Sequence, residues 1–180
     1  MPTIQESIKN ANLGDFVEFG RYPQTLNDDI QPIEWQVLAI EENKMLLLSK
    51  YGLDTKPFDS SSNNWEYSNI NYWANNDFYN KAFNEEEKKY IESFDGDNVF
   101  LLSKDEANKY FIYDNVRICK PTKYALKHGA YVVVNKGYCF WWLSSSLGST
   151  LVYIVGGGVF TVNSFDTENN VFRPALWINL

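Results

Sequence analysis

Strands at both ends of the chain and helices between them predict an α+β fold, mostly antiparallel in its twisted sheet, with several short helices. Three observations carry this. Residues 33–40 (IEWQVLAI) and 45–49 flank a polar turn and read as a β-hairpin. Residues 68–127 hold apolar side chains at helical spacing and a series of helix-start signals. Residues 139–180 return to strand sequence, opened by Trp141-Trp142 and closed by Arg173-Pro174-Ala175-Leu176-Trp177. No repeat, linker or low-complexity run divides the 180 residues, so one domain over 1–180 is expected.

Residues 1–13 read as a short helix or a loose arm. Gly14-Asp15 turn the chain into an alternating strand at 16–20, which Tyr22-Pro23-Gln24 ends, and 26–31 is a polar loop. After the hairpin, 51–64 is a loop rich in Asp, Ser and Asn. Ile70, Trp73, Ala74 and Phe78 mark a helix within 68–78. Asn84 is a natural N-cap, with Glu85, Glu86 and Glu87 in a first turn where the helix dipole favours carboxylates. Asp95-Gly96-Asp97 is a turn and 99–102 a short apolar strand. Ser103 and Glu106 form a capping box for a helix to about residue 110. Pro121-Thr122 start another, stopped by Gly129. Residues 131–134 read as strand, 135–137 as turn, and strands fill the rest.

The totals exclude several functions. A net charge of −7 gives no basic face for a phosphate backbone, so no nucleic-acid partner is expected, and it disfavours an anionic membrane surface. No stretch approaches the ~20 apolar residues of a membrane span. The polar start has no signal-peptide core, so the expected location is cytoplasmic, with surface or phage display reached by another route. Cys119 and Cys139 are expected as reduced, partly buried thiols.

Candidates for chemistry are few. His128 is the one histidine; beside Gly129 at a helix end it reads as a solvated cap. No serine stands in a G-x-S-x-G elbow, and two cysteines with one histidine fall short of a zinc set. Gly156-Gly157-Gly158 lacks the lysine and strand-to-helix setting of a phosphate loop and reads as a tight turn. Trp141-Trp142 in a strand face opposite ways, so one is expected in the core and the other partly exposed. No cofactor, metal or catalytic activity is expected.

Islands across most of the chain resemble a large bacterial domain family of unknown function, whose members carry a WWLRSPG-like motif and end in VRPALWL. They are 14–24 (GDFVEFGRYPQ), 32–35, 49–54 (SKYGLD), 73–83, 100–110, 119–129 and 141–180. Ser144 and Ser146 stand where the family motif has Arg and Pro. The resemblance implies a C-type-lectin-like fold, shared with the formylglycine-generating enzyme group, in which the last strands and loops form the ligand face. Lectin calcium signatures of the Glu-Pro-Asn type are absent, and the cysteines do not match the arrangement of that enzyme's active site.

Diversity-generating retroelements rewrite the C-terminal part of such domains through NNY codons, which cannot encode Lys, Glu, Gln, Met or Trp. Residues 144–167 contain none of these; at the frequency of the rest of the chain about six would stand there. Buried strands are depleted in Lys, Glu and Gln anyway, which is the plainer explanation. The expected function is a ligand-binding module with a diversifiable surface over about 144–170. The alternatives are a non-diversified bacterial binding domain for a protein or carbohydrate, and an oxidoreductase like the formylglycine-generating enzyme. The expected ligand-binding residues are Ser144, Ser146, Ser149, Leu151, Tyr153, Val155, Phe160, Thr161, Asn163, Phe165 and Asp166, displayed to solvent. Trp141, Trp142, Arg173 and Trp177 are the expected framework, with Arg173 held by a carboxylate or backbone carbonyls.

Overall fold

The computed structural model describes residues 4–180. The N-terminal arm contains a short helix, α1 (Ile4–Lys9); residues 1–3 lie outside the described ones. β1 (Phe16–Pro23) pairs with β2 (Ile30–Glu41), and a two-residue turn leads into β3 (Lys44–Ser49), the expected hairpin. β4 (Asp54–Thr55) interrupts the polar loop. One helical run then joins α2 (Asn69–Trp73), a π-helical turn (Ala74–Phe78) and α3 (Tyr79–Ala82), opened by Ser68 Oγ accepting the Asn71 N–H. α4 (Glu85–Lys88) carries the Asn84 cap, closed into a full box by Glu87. β5 (Ile91–Glu92) precedes α5 (Lys104–Tyr110), which has the Ser103 box, and α6 (Lys123–Lys127) starts at Thr122. β6 (Phe140–Leu147), β7 (Leu151–Gly156), β8 (Val159–Ser164), β9 (Val171–Phe172) and β10 (Ala175–Asn179) complete the order.

The strands form two sheets, β1-β2-β3-β10-β5 and β4-β9-β6-β7-β8, antiparallel except where Trp141 of β6 meets Val171 of β9. The fold is α+β, with mostly antiparallel sheets and short helices. β10 joins the N-terminal hairpin in one sheet, while β6, β7 and β8 build the other.

Two hydrophobic cores lie on opposite sides of the central strands. The larger holds Phe19, Trp35, Leu47, Phe78, Trp142 and Phe172. The smaller holds Leu48, Leu102, Phe111, Trp141, Val155 and Trp177. Along β3 the side chains alternate between them: Met45 and Leu47 enter the larger core, Leu46 and Leu48 the smaller. A strand buried on both faces has no polar side, which is why KMLLLS reads as a continuous apolar run.

Three expectations need correction. Residues 99–102 form no strand, because β5 already occupies the outer edge of β10 and leaves Phe100 a single bridge to Ala175. Residues 131–134 meet Cys139 at Val132 alone, since the turn in which Val133 O accepts the Gly137 N–H bends the chain away. Neither Trp141 nor Trp142 is exposed: both are at 0%, one in each core.

Candidate ligand-binding surface

On β7, Leu151, Tyr153 and Val155 point to one face and Val152 and Ile154 to the other. The first face is covered. Val155 is 1% exposed, paired across the sheet with Trp141 and Phe160, so the expectation that it faces solvent is wrong. The cover comes from α5 and the loop after it. The Lys104 ammonium sits 4.5 Å from the Tyr153 ring centroid, and the Arg117 guanidinium 4.6 Å from that of Phe160. Tyr153, Phe160 and Leu151 are therefore half-buried.

On the opposite face Thr161 is exposed and Asn163 half-buried, its amide donating to Asn170 Oδ1 at 3.2 Å. Phe165 is half-buried against the larger core, while Asp166 is exposed. At the β6–β7 tip Ser144 is half-buried and Ser146 and Ser149 are open. Of the expected contact residues, Ser146, Ser149, Thr161 and Asp166 are thus fully displayed. They are joined by Leu147, Thr150 and Val159, which strand alternation does not single out. The turn residues flanking them, Gly148 and Gly157-Gly158, are the signal that could have found them, because a hairpin tip is open whichever face a strand presents.

Beneath this surface the framework is fixed. Arg173 is buried; its Nε donates to Ser49 O at 2.9 Å and its Nη1 to Arg117 O at 3.4 Å, and the guanidinium lies 4.7 Å from the Trp141 ring. Backbone carbonyls and an aromatic face hold it, and among the described residues no carboxylate does. Trp177 is buried in the smaller core. Arg117 is a second buried clamp: Nε donates to Gly158 O at 2.7 Å, Nη1 to Phe111 O at 2.5 Å, and Nη2 to Asp114. It locks the loop to the β7–β8 turn. At Gly158, φ is +88° and any Cβ would collide with the Asp114 carbonyl oxygen, so only glycine fits.

β6 is sewn to the start of α5. Ser144 N–H donates to Leu102 O at 3.0 Å and Lys104 N–H to Ser145 Oγ at 2.9 Å. Beside this seam opens a cleft of about 460 Å³, with Trp65, Phe94 and Phe100 as aromatic walls, four carboxylates (Glu66, Asp95, Asp97 and Glu106), and Ser144 in its lining. No Lys, Arg or His lines it. Its back wall hangs from the helical run. Asp97 Oδ2 accepts from Trp65 Nε1 at 2.8 Å and Asn71 Nδ2 at 2.9 Å. Asn75, inside the π turn, accepts the Asn98 and Val99 N–H groups at 2.8 and 3.0 Å and donates to Val99 O at 2.9 Å. Burial pushes the Asp97 carboxyl up, and the Asp95 and Glu66 charges add to it, outweighing the Trp65 and Asn71 hydrogen bonds. Among the described residues no three His, Cys, Asp or Glu side chains converge as a metal set.

His128 is the exposed C-cap of α6, as expected; in addition its Nδ1 stands 3.4 Å from buried Asp54, and the ring meets Tyr124 edge-on at 4.0 Å. Asp54 Oδ2 also accepts the Tyr22 hydroxyl at 2.8 Å. Among the described residues no serine or cysteine hydrogen-bonds to this His–Asp–Tyr group. Cys119 and Cys139 are free thiols on facing bridge residues, both buried. Burial pushes the Cys119 thiol up, but the Cys139 thiol, Arg173 and the Gly52 N–H outweigh that and bring it to about 7. Burial and its neighbour push Cys139 up instead.

Neither a curated protein nor a solved structure matches the chain. A family model described as a domain of unknown function (DUF6273) matches residues 42–180, from the β2–β3 turn to the last residue, and so takes in β6 to β10, the cleft and both tryptophans. The chain belongs to that family, DUF6273.

Proposed function

We propose that this domain is a non-catalytic ligand-binding module of C-type-lectin-like architecture, presenting the β6–β7 tip, the β8 strand and the adjoining cleft to its ligand. One observation carries the reading. Ser146, Ser149, Thr161 and Asp166 stand open on a sheet whose interior is held by Trp141, Trp142 and Arg173. A rigid wall under a changeable rim lets contact residues vary without loss of the fold. Tyr153 and Phe160 stiffen the rim from below, and the serines offer adaptable hydrogen bonds, the division of labour found in antibody paratopes.

The same rim fits a retroelement-diversified surface, because its open positions fall inside 144–167. The cleft favours the alternative, a fixed binding domain for a protein or carbohydrate. Apart from Ser144 its lining lies outside that stretch, and aromatic walls with hydrogen-bonding carboxylates suit a sugar or a cationic side chain.

Immobilised domain should be screened against glycan and displayed-peptide libraries, beside a variant with Ser146, Ser149, Thr161 and Asp166 all changed to alanine. Loss of the selected ligand with an unchanged melting temperature supports the rim. A ligand retained by that variant and lost in Asp97→Asn moves the site to the cleft. A near-copy of the gene's 3′ end, differing at template adenines and beside a reverse-transcriptase gene, separates the diversified reading from the fixed one.

A further inference from the structure

We infer that β8 is a self-association edge, at which a second copy of this chain adds its own β8 antiparallel to make a continuous ten-stranded sheet. The two sheets have four edge strands. β4 and β5 are two residues each, too short to template a partner. β1 is blunted: it is bulged between Glu18 and Arg21, carries those charges and Pro23, and has its Gly20 N–H taken by Glu87 at 3.3 Å. β8, VFTVNS, is six residues long with no charge, proline or bulge, and Val159 is 50% exposed.

Its backbone polarity specifies a strand as the occupant. Phe165 N–H donates to Thr150 O at 3.1 Å, so in the antiparallel register Asn163, Thr161 and Val159 bond inward to β7. Phe160, Val162 and Ser164 then aim their backbone groups outward. The Ser164 carbonyl accepts from Thr167, while the N–H and C=O of Phe160 and Val162 have no partner among the described residues. Only another extended segment matches that spacing of donors and acceptors.

Charge selects a second copy. The chain carries −7, so two copies repel across most of their surface, yet residues 137–165 contain no charged side chain. A two-fold pairing centred on Val162 puts Phe160 opposite Ser164 of the second copy and Thr161 opposite Asn163. It brings Asp166 to the Gly158 turn of the other copy, beside which Asp114 is ion-paired with the Arg117 that holds the turn. The exposed apolar side chains of Ile112, Tyr113 and Val116 flank the Arg117-paired Asp114 on the loop that Arg117 ties to this turn, and they add apolar surface beside the edge.

Sedimentation velocity of the full chain over a wide concentration range tests the inference. A concentration-dependent dimer is expected. Val162→Lys, which faces two ammonium groups across the axis, should weaken it by roughly tenfold or more. Glu18→Lys on the β1 edge should leave it unchanged. Hydrogen exchange on the unsubstituted protein gives a readout that survives a misfolded variant: the Phe160 and Val162 amides should slow as concentration rises. A monomer at every concentration overturns the inference. So does a dimer indifferent to Val162→Lys, or one in which those two amides exchange at an unchanged rate.

Discussion

Val155 and Thr161 sit on adjacent strands, and their opposite fates show what strand alternation can and cannot predict. Both were expected on the binding face; one is sealed between Trp141 and Phe160 and the other is open. Val155→Ala should therefore cost about 1–3 kcal/mol and Thr161→Ala within about 0.5 kcal/mol, read from urea unfolding midpoints at constant slope. Equal costs would mean that the cover over Val155 is absent in solution. That cover was not legible locally, because Lys104 and Arg117 reach the sheet from a distant part of the sequence. Arg173 was legible, since a guanidinium between apolar strands must find carbonyls or a carboxylate. Asp97 was not, because its neighbours Trp65 and Asn71 lie a helix away. Its carboxyl is raised, so in the folded state it contributes stability that is full below the ordinary aspartate range and is lost as pH rises through its raised value. Asp97→Asn should remove that loss. The variant's urea midpoint should gain on the unsubstituted protein as pH moves from acid to neutral, and a difference independent of pH would contradict the assignment.

Elements with chemistry at their ends were the ones the sequence announced. The Asn84 cap and the Ser103 box are both formed, and Glu87 closes the Asn84 cap into a box as well. Ser103→Ala should cost about 1 kcal/mol, and it should also loosen the cleft, because Ser103 and Glu106 line it. Chemical denaturation reads the first effect, and faster exchange of the Ser103 and Lys104 amides reads the second. Elements that depend on a partner's vacancy were misread. Residues 99–102 have strand composition but no free edge to join, since Ile91 and Glu92 hold it. The π turn has no signature in the apolar spacing; it exists because Asn75 is drawn out to bind the backbone at Asn98 and Val99. That anchoring turns a helix into the support of a cleft, a placement π-helical turns often share.

For the molecule as a whole, the family match and the first sheet differ in extent. The match begins at residue 42, yet β1 and β2 supply two strands of the first sheet and bury Phe19, Ile33, Trp35 and Val37 in the larger core. A chain of residues 42–180 should not fold alone: its circular dichroism should lack a cooperative thermal transition, whereas the full chain shows one. A cooperative transition in the short chain would mean that the larger core closes without them. Trp141 and Trp142 give the whole a further property. Neighbours in sequence, they belong to different interiors, and β6 is the partition. Substitutions on the two sides share few partners, so their energetic effects should add where two changes in one interior would interact. In evolutionary terms the partition limits epistasis: drift among the side chains around Trp141 need not wait for compensating change around Trp142, and one half of the domain can be rewritten while the other keeps its history.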